Sequence, residues 1–167
     1  MTEQAGRLKR LMGRFGRVSR PIESELSTAS ASTEIEKQIE RYVNMANMDR
    51  SLKEMMAVDG AIGAAVVDYT SGMALGTLGS SNELDLQVAA AGNTEVVRAK
   101  LRTIDQLGLN EDIEDILITL YGQYHIIRPM TGQRSKGLFL YLALDRDRAN
   151  LALARHRLKA IEQDLEV

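Results

Sequence analysis

Residues 111–144 (EDIEDILITLYGQYHIIRPMTGQRSKGLFLYLAL) hold three apolar runs, separated by Tyr121-Gly122 and by a polar loop over residues 131–136. Short runs rich in β-branched and aromatic residues, punctuated by turn residues, read as a three-strand antiparallel meander. Period two puts Ile116, Ile118 and Leu120 on one face and Leu117 and Tyr121 on the other, with Thr119 between them. In the last run Leu138, Leu140, Leu142 and Leu144 oppose Phe139, Tyr141 and Ala143. Both faces are apolar. A sheet wetted on one side would alternate with polar residues, so these strands demand helices above and below.

The flanking segments supply them. Ile35, Ile39, Tyr42, Val43 and Ala46 mark an amphipathic helix, and Ser51-Leu52-Lys53-Glu54 matches a capping box. Either a second helix starts there or one long helix kinks near residues 47–49, with Leu52, Met55 and Met56 on its buried side. The methionines Met45, Met48, Met55 and Met56 read as core filler, with an adaptable binding surface as the alternative. Residues 61–68 (AIGAAVVD) and 73–78 form a hairpin across Ser71-Gly72, and the small residues Gly63, Ala64 and Ala65 let a helix approach the first strand closely. A second capping box, residues 80–83, opens a helix over 84–107 that Gly108 stops. Its first half is apolar nearly all round, which gives it one side for its own sheet and another for a second copy of itself. Asp145 or Asp147 is expected to cap a last helix, in which Leu151, Ala154, Leu158, Ile161 and Leu165 repeat at 3, 4, 3, 4 spacing. The sum is an α+β fold: a three-layer sandwich with a five-stranded antiparallel sheet between helices.

Residues 1–33 carry six Lys and Arg against three Glu, while residues 34–167 carry 15 against 20 Asp and Glu. An acidic body with two Phe, five Tyr and no Trp lacks both the field and the stacking surface of a nucleic-acid binder. Without cysteine there is neither a disulfide framework nor thiolate chemistry. No apolar run reaches the length of a membrane-spanning helix, and a cytoplasmic protein is expected. Within residues 5–20, Leu8, Leu11, Met12, Phe15 and Val18 fall at helical spacing among Arg7, Lys9, Arg10, Arg14, Arg17 and Arg20. That pattern suits docking on an anionic membrane or in a partner groove, but a basic tail that its glycines keep from folding is the better account. Pro21 ends it, and residues 24–33 have linker composition.

No catalytic constellation emerges. Glu111, Asp112, Glu114 and Asp115 crowd four carboxylates together, but the start of a strand splits them between faces, and an edge guard explains them better than a metal site. Gly72, Gly76 and Gly79 match neither phosphate-binding glycine pattern. Ser71 has no evident base, and His125 lies within a strand pattern, as a structural imidazole does. No cofactor is expected. A ligand sensor is disfavoured by sheet faces filled with Leu and Ile.

The order of elements, together with residues 52–68 (LKEMMAVDGAIGAAVVD), the Ser71-Gly72 turn, the alanine-rich second helix, the DILITL strand and the ending ANLALAR at 149–155, resembles the roadblock family of dynein light chains and GTPase regulators. The resemblance covers residues 48–166, leaving a basic segment and linker at 1–33 and an extra helix at 34–47. It implies homodimers that pair the strand at residues 113–120 and pack the helix at 84–107. The interface residues so implied are Val96, Val97, Arg98, Lys100, Leu101, Ile116, Leu117, Ile118 and Thr119, with Arg98 and Arg102 exposed. It also implies a non-catalytic adaptor that binds a Ras-like small GTPase and biases its nucleotide cycle or location. The extension adds Leu8, Arg10, Leu11, Arg14 and Phe15 as a candidate docking segment for a membrane surface or a further partner. The alternative is a scaffold subunit that assembles by sheet-edge and helix pairing with no GTPase.

Overall fold

The computed structural model describes residues 22–79 and 84–165, with side chains from Thr33 onward. The docking residues Leu8, Arg10, Leu11, Arg14 and Phe15 lie outside the described residues, as does the expected capping box at 80–83. The chain divides into two units, Met1–Glu40 and Arg41–Val167. What is described of the first is the opening part of helix α1 (Ile22–Met56), on which Ile35 and Ile39 are both exposed. Residues 24–33, read from composition as linker, are therefore helical.

In the second unit α1 runs on through residues 47–49 without the expected break, and the Ser51 capping box is not used. Ser51 is buried, and Glu54 pairs with Arg50 at 2.8 Å instead of returning to Ser51. With Asp49–Lys53 at 2.6 Å, two i,i+4 ion pairs span the position of that capping box, and each favours continuing the helix. Then follow β1 (Ala61–Asp68), β2 (Met73–Leu78), α2 (Leu86–Gln106), β3 (Ile116–Thr119), β4 (Gln123–Pro129), β5 (Leu138–Asp145) and α3 (Leu151–Asp164). All five strands are antiparallel, in the order β2-β1-β5-β4-β3.

The meander's two faces are sorted as its period requires. Leu138, Leu140, Leu142 and Leu144 meet Leu52 and Met55 of the α1 end, Val58 just past it, and Ala154, Leu158 and Ile161 of α3. On the opposite face Phe139, Tyr141 and Ala143 meet Leu86, Ala90 and Val97 of α2. Glycine permits close approach on both sides: a Cβ at Gly76 would lie 2.8 Å from Met48 Sδ, and one at Gly63 would lie 3.0 Å from Leu86 Cδ2. Of the methionines, Met55 is fully buried and Met48 and Met56 pack on the core, while Met45 is exposed.

Two helix starts differ from expectation. Asp85 caps α2, accepting from Gln87 N at 2.9 Å and Val88 N at 3.1 Å. Asn150, not Asp145 or Asp147, caps α3 by accepting from Leu153 N at 3.1 Å. Asp145 instead shapes the preceding turn, its carboxylate accepting from Asp147 N and its carbonyl from Ala149 N. Asp85 and Asn150 each stand in extended backbone immediately before the first helical residue, from where a short polar side chain reaches the free N–H groups of the first turn.

Candidate partner-binding surface

Strand β3 forms one margin of the sheet and, among the described residues, pairs only with β4. Its four residues, Ile116, Leu117, Ile118 and Thr119, carry no charge, so its outer backbone groups are free to pair with another strand. Ile116 and Ile118 are half-buried toward the α2 side, Leu117 is half-buried toward the α3 side, and Thr119 is exposed. Past the strand, Leu120 is exposed and Tyr121 fully so.

Helix α2 does not sit centrally over the sheet. Its nearest strands are β2 and β1, with a lesser approach to β4. The α2 side of the sheet is thus left thinly covered toward β3, where Ile116, Ile118 and His125 are half-buried. The helix turns Leu86, Ala90, Asn93, Thr94 and Val97 inward. Outward, at 3,1,3,4,3 spacing, it shows Val88, Ala91, Gly92, Glu95, Ala99 and Arg102. Small residues on that face leave it nearly flat: a Cβ at Gly92 would have nothing within 4 Å.

The residues expected to face a partner divide between the two sides of this helix. Val97 is fully buried within the chain itself and belongs to the sheet-facing side of α2. Val96 and Leu101 are half-buried against the same cluster, on the flanks of the helix, and Lys100 is exposed. Arg98 is engaged inside the fold: Nε donates to Tyr69 O and Nη2 to Thr70 O, each at 2.8 Å, while Nη1 pairs with Glu95 at 2.7 Å. It pins the β1–β2 turn to α2. Arg102 alone of the two arginines is exposed as expected. Apolarity alone does not mark these outward small residues, although their 3- and 4-residue spacing stands in the sequence.

Beneath α2 runs a chain of polar groups. The Asn93 side chain hydrogen-bonds the Tyr141 hydroxyl, which lies 3.0 Å from His125 Nδ1, and His125 Nε2 lies 2.9 Å from Gln123 Oε1. The amide oxygen of Gln123 accepts, so Nε2 carries the proton and Nδ1 accepts from Tyr141. Burial pushes Tyr141 up to about 12, with the Asn93 bond opposing, and burial lowers His125. His125 is thereby tied into the fold through both ring nitrogens, and its burial favours the neutral form.

On the α3 side Arg128 is buried and paired at 2.5 Å with Glu162, whose other oxygen accepts from Thr131 N at 3.1 Å and Thr131 Oγ1 at 2.8 Å. Burial raises Glu162, but the bonds from Arg128 and Thr131 outweigh it and hold the carboxyl below its ordinary value. The acidic run at 111–115 turns two of its carboxylates onto basic side chains, Glu114 toward Arg128 and Lys159 and Asp115 toward Arg155. Among the described residues no group of His, Asp and Glu is arranged to hold a metal ion, and no helix is long and apolar enough to cross a membrane.

No protein-family model matches the chain, and no curated protein sequence matches it. Solved structures do. Myxococcus xanthus MglB is 22% identical with a TM-score of 0.57, the match covering 72% of this chain and 82% of that one. The gliding protein MglB of Thermus thermophilus is 16% identical with a TM-score of 0.62, covering 73% and 87%. A Roadblock/LC7 domain from Streptomyces avermitilis is 13% identical with a TM-score of 0.57, covering 71% and 91%. A five-stranded antiparallel sheet between α2 and the pair α1 and α3 is the architecture shared with these roadblock-domain structures.

Proposed function

We propose that this roadblock-fold chain is a non-catalytic homodimeric adaptor that binds a Ras-like small GTPase and biases its nucleotide cycle or its location. The observation that carries the reading is the pairing of an uncharged free edge, β3, with the flat outer face of α2 beside a thinly covered part of the sheet. Two copies related by a two-fold axis would join their β3 edges into one continuous sheet and lay α2 against α2 across it. The small residues Ala91, Gly92 and Ala99 allow the two helix backbones to come close.

The GTPase rests on the resemblance of the sequence to a family of GTPase regulators and on the likeness in fold to the two MglB proteins. The dimer would favour one nucleotide state by differential affinity, and any acceleration of hydrolysis would come from ordering the GTPase's own residues. The basic segment at 5–20 would add attraction to an anionic membrane surface and give a cytoplasmic adaptor a route to the membrane.

A second reading, a scaffold subunit, draws on the opposite margin of the sheet. There β2 carries no charge and exposes Met73 and Leu75, a second edge open to pairing. Affinity capture from the native lysate separates the two, run once with a non-hydrolysable GTP analogue and once with GDP and read by mass spectrometry. A small GTPase retained in one state alone supports the adaptor. Retention of the same other proteins in both states, with no GTPase, overturns it in favour of the scaffold.

A further inference from the structure

Strand β3 is reached from α2 through residues 107–115, and the last part of that connection has no backbone anchor. Among the described residues no turn or loop backbone hydrogen bond involves residues 110–115; the last one made, Leu109 N to Ile104 O, belongs to the end of α2. The other end of β3 is well tied. Leu120 N donates to Gln123 O across the turn, Arg146 N donates to Gly122 O, and Arg146 Nη1 donates to Leu120 O at 3.2 Å.

What holds the start of the strand is a row of side chains on α3. Arg155, Lys159 and Glu162 stand at i, i+4 and i+7, one above another on the helix face that meets the connection. Arg155 Nη2 lies 2.5 Å from Asp115 Oδ1, and the Asp115 side chain is only 5% exposed. Lys159 Nζ and Arg128 Nη1 approach Glu114 Oε1 at 3.6 and 3.8 Å, with Glu114 largely in solvent. Glu162 fixes Arg128 from behind. The bond from Arg155 to Asp115 is charge-assisted, with its carboxylate nearly buried but its guanidinium 46% exposed, and the Glu114 contacts are longer still, so salt reaches both parts of the row.

We propose that Asp115 and Arg155, supported by Glu114 and Lys159, form an ionic clasp that positions β3 on the sheet and so governs the state of its free edge. With the clasp closed, β3 lies in register on β4. With it open, the strand is held by its ladder and its turn alone, and its first residues peel away. The clasp rests on no property of a partner, but its consequence for assembly rests on the reading of β3 as the association edge. An association edge gated in this way would respond to ionic strength, and to an acidic segment that competes for Arg155.

Hydrogen exchange by mass spectrometry on the full chain tests it, comparing the native protein with Arg155→Gln and Arg155→Lys. Exchange of amides 116–119 is expected to quicken about tenfold or more in Arg155→Gln and to stay near native in Arg155→Lys, while β1 and β5 amides hold their protection. Unchanged exchange over 116–119 overturns the clasp. So does equal acceleration in β1 and β5, which would make Arg155 a contributor to global stability only. Light scattering on the same samples reads assembly separately. Faster β3 exchange with no change in mass upholds the clasp and removes β3 from the interface, whereas loss of mass with β3 exchange unchanged does the reverse.

Discussion

On the α1 and α3 side of the sheet, long aliphatic residues from two helices and three strands close on one another, and the charged pair Arg128–Glu162 is kept to the margin. On the α2 side a single helix covers fewer residues, and a polar chain from Asn93 through Tyr141 to His125 runs through the middle. The first face is finished within the chain. The second ends in half-buried Ile116, Ile118 and His125 beside an unpaired strand. One sheet therefore carries both a core and the beginnings of an interface, and the helix that is short of partners is the one whose outer side is flat.

If that division is sound, the harshest change is one that puts charge under α2. Val97→Asp should cost about 4 kcal/mol or more, since a carboxylate without a partner would sit at a fully buried position. Denaturant unfolding reads this directly. A variant with native stability and lost self-association would return Val97 to the partner surface and erase the distinction between the two sides of the helix.

On the finished face Leu158→Ala should cost about 2 to 5 kcal/mol, because fully buried Leu158 is ringed by strand leucines that cannot collapse into the space. Self-association by whatever remains folded should be unaffected. A loss of association at concentrations where the variant is still folded would mean that α3, too, faces a partner.

Tyr141→Phe probes the polar chain and should cost about 1 to 2 kcal/mol by leaving Asn93 and His125 without their shared partner. Its sharper signature is in pH. Burial lowers His125, so the folded state favours the neutral ring; that contribution is present above the ordinary value of 6.5 and is lost as pH falls through the lowered one. Tyr141, raised to about 12, favours the neutral phenol; its contribution is present below 10.0 and is lost as pH rises toward 12. The native protein should weaken at both extremes, and Tyr141→Phe should abolish the alkaline loss. An unchanged alkaline limb would assign that limb to another group.

The sheet was legible because its evidence is local. Period two in residues 138–144 sorts every side chain to its face, and turn residues fall where the strands end. The fate of α2's residues was harder to read, since a helix that is apolar nearly all round does not say which side meets its own sheet. Only the off-centre seat of the helix decides it, turning Val97 in and Ala91 and Ala99 out. Arg98 misled for a related reason: its partners are the carbonyls of Tyr69 and Thr70, far off in sequence, and carbonyl acceptors leave no trace in residue type. The Asp115–Arg155 pair spans 40 positions and could not be told in advance from any other acid and base. Continuity of α1 was hidden by a capping box whose serine is buried against the core rather than turned to a helix start.

The mildest change in stability is also the one that bears most on function. Ala91 is exposed on the outer side of α2 and makes no use of the core, so Ala91→Arg should alter unfolding by no more than about 0.5 kcal/mol. In a dimer built on α2 against α2, the same substitution would set two guanidinium groups, one from each copy, into a contact made for small side chains. The two-fold axis doubles both the bulk and the like-charge repulsion, and self-association should be lost at concentrations where the native chain pairs. Sedimentation equilibrium beside thermal unfolding reads both quantities on one sample. A stable monomer would locate the interface on the open face. A stable dimer of native affinity would move it off this side of α2 and leave the flat surface to a different partner.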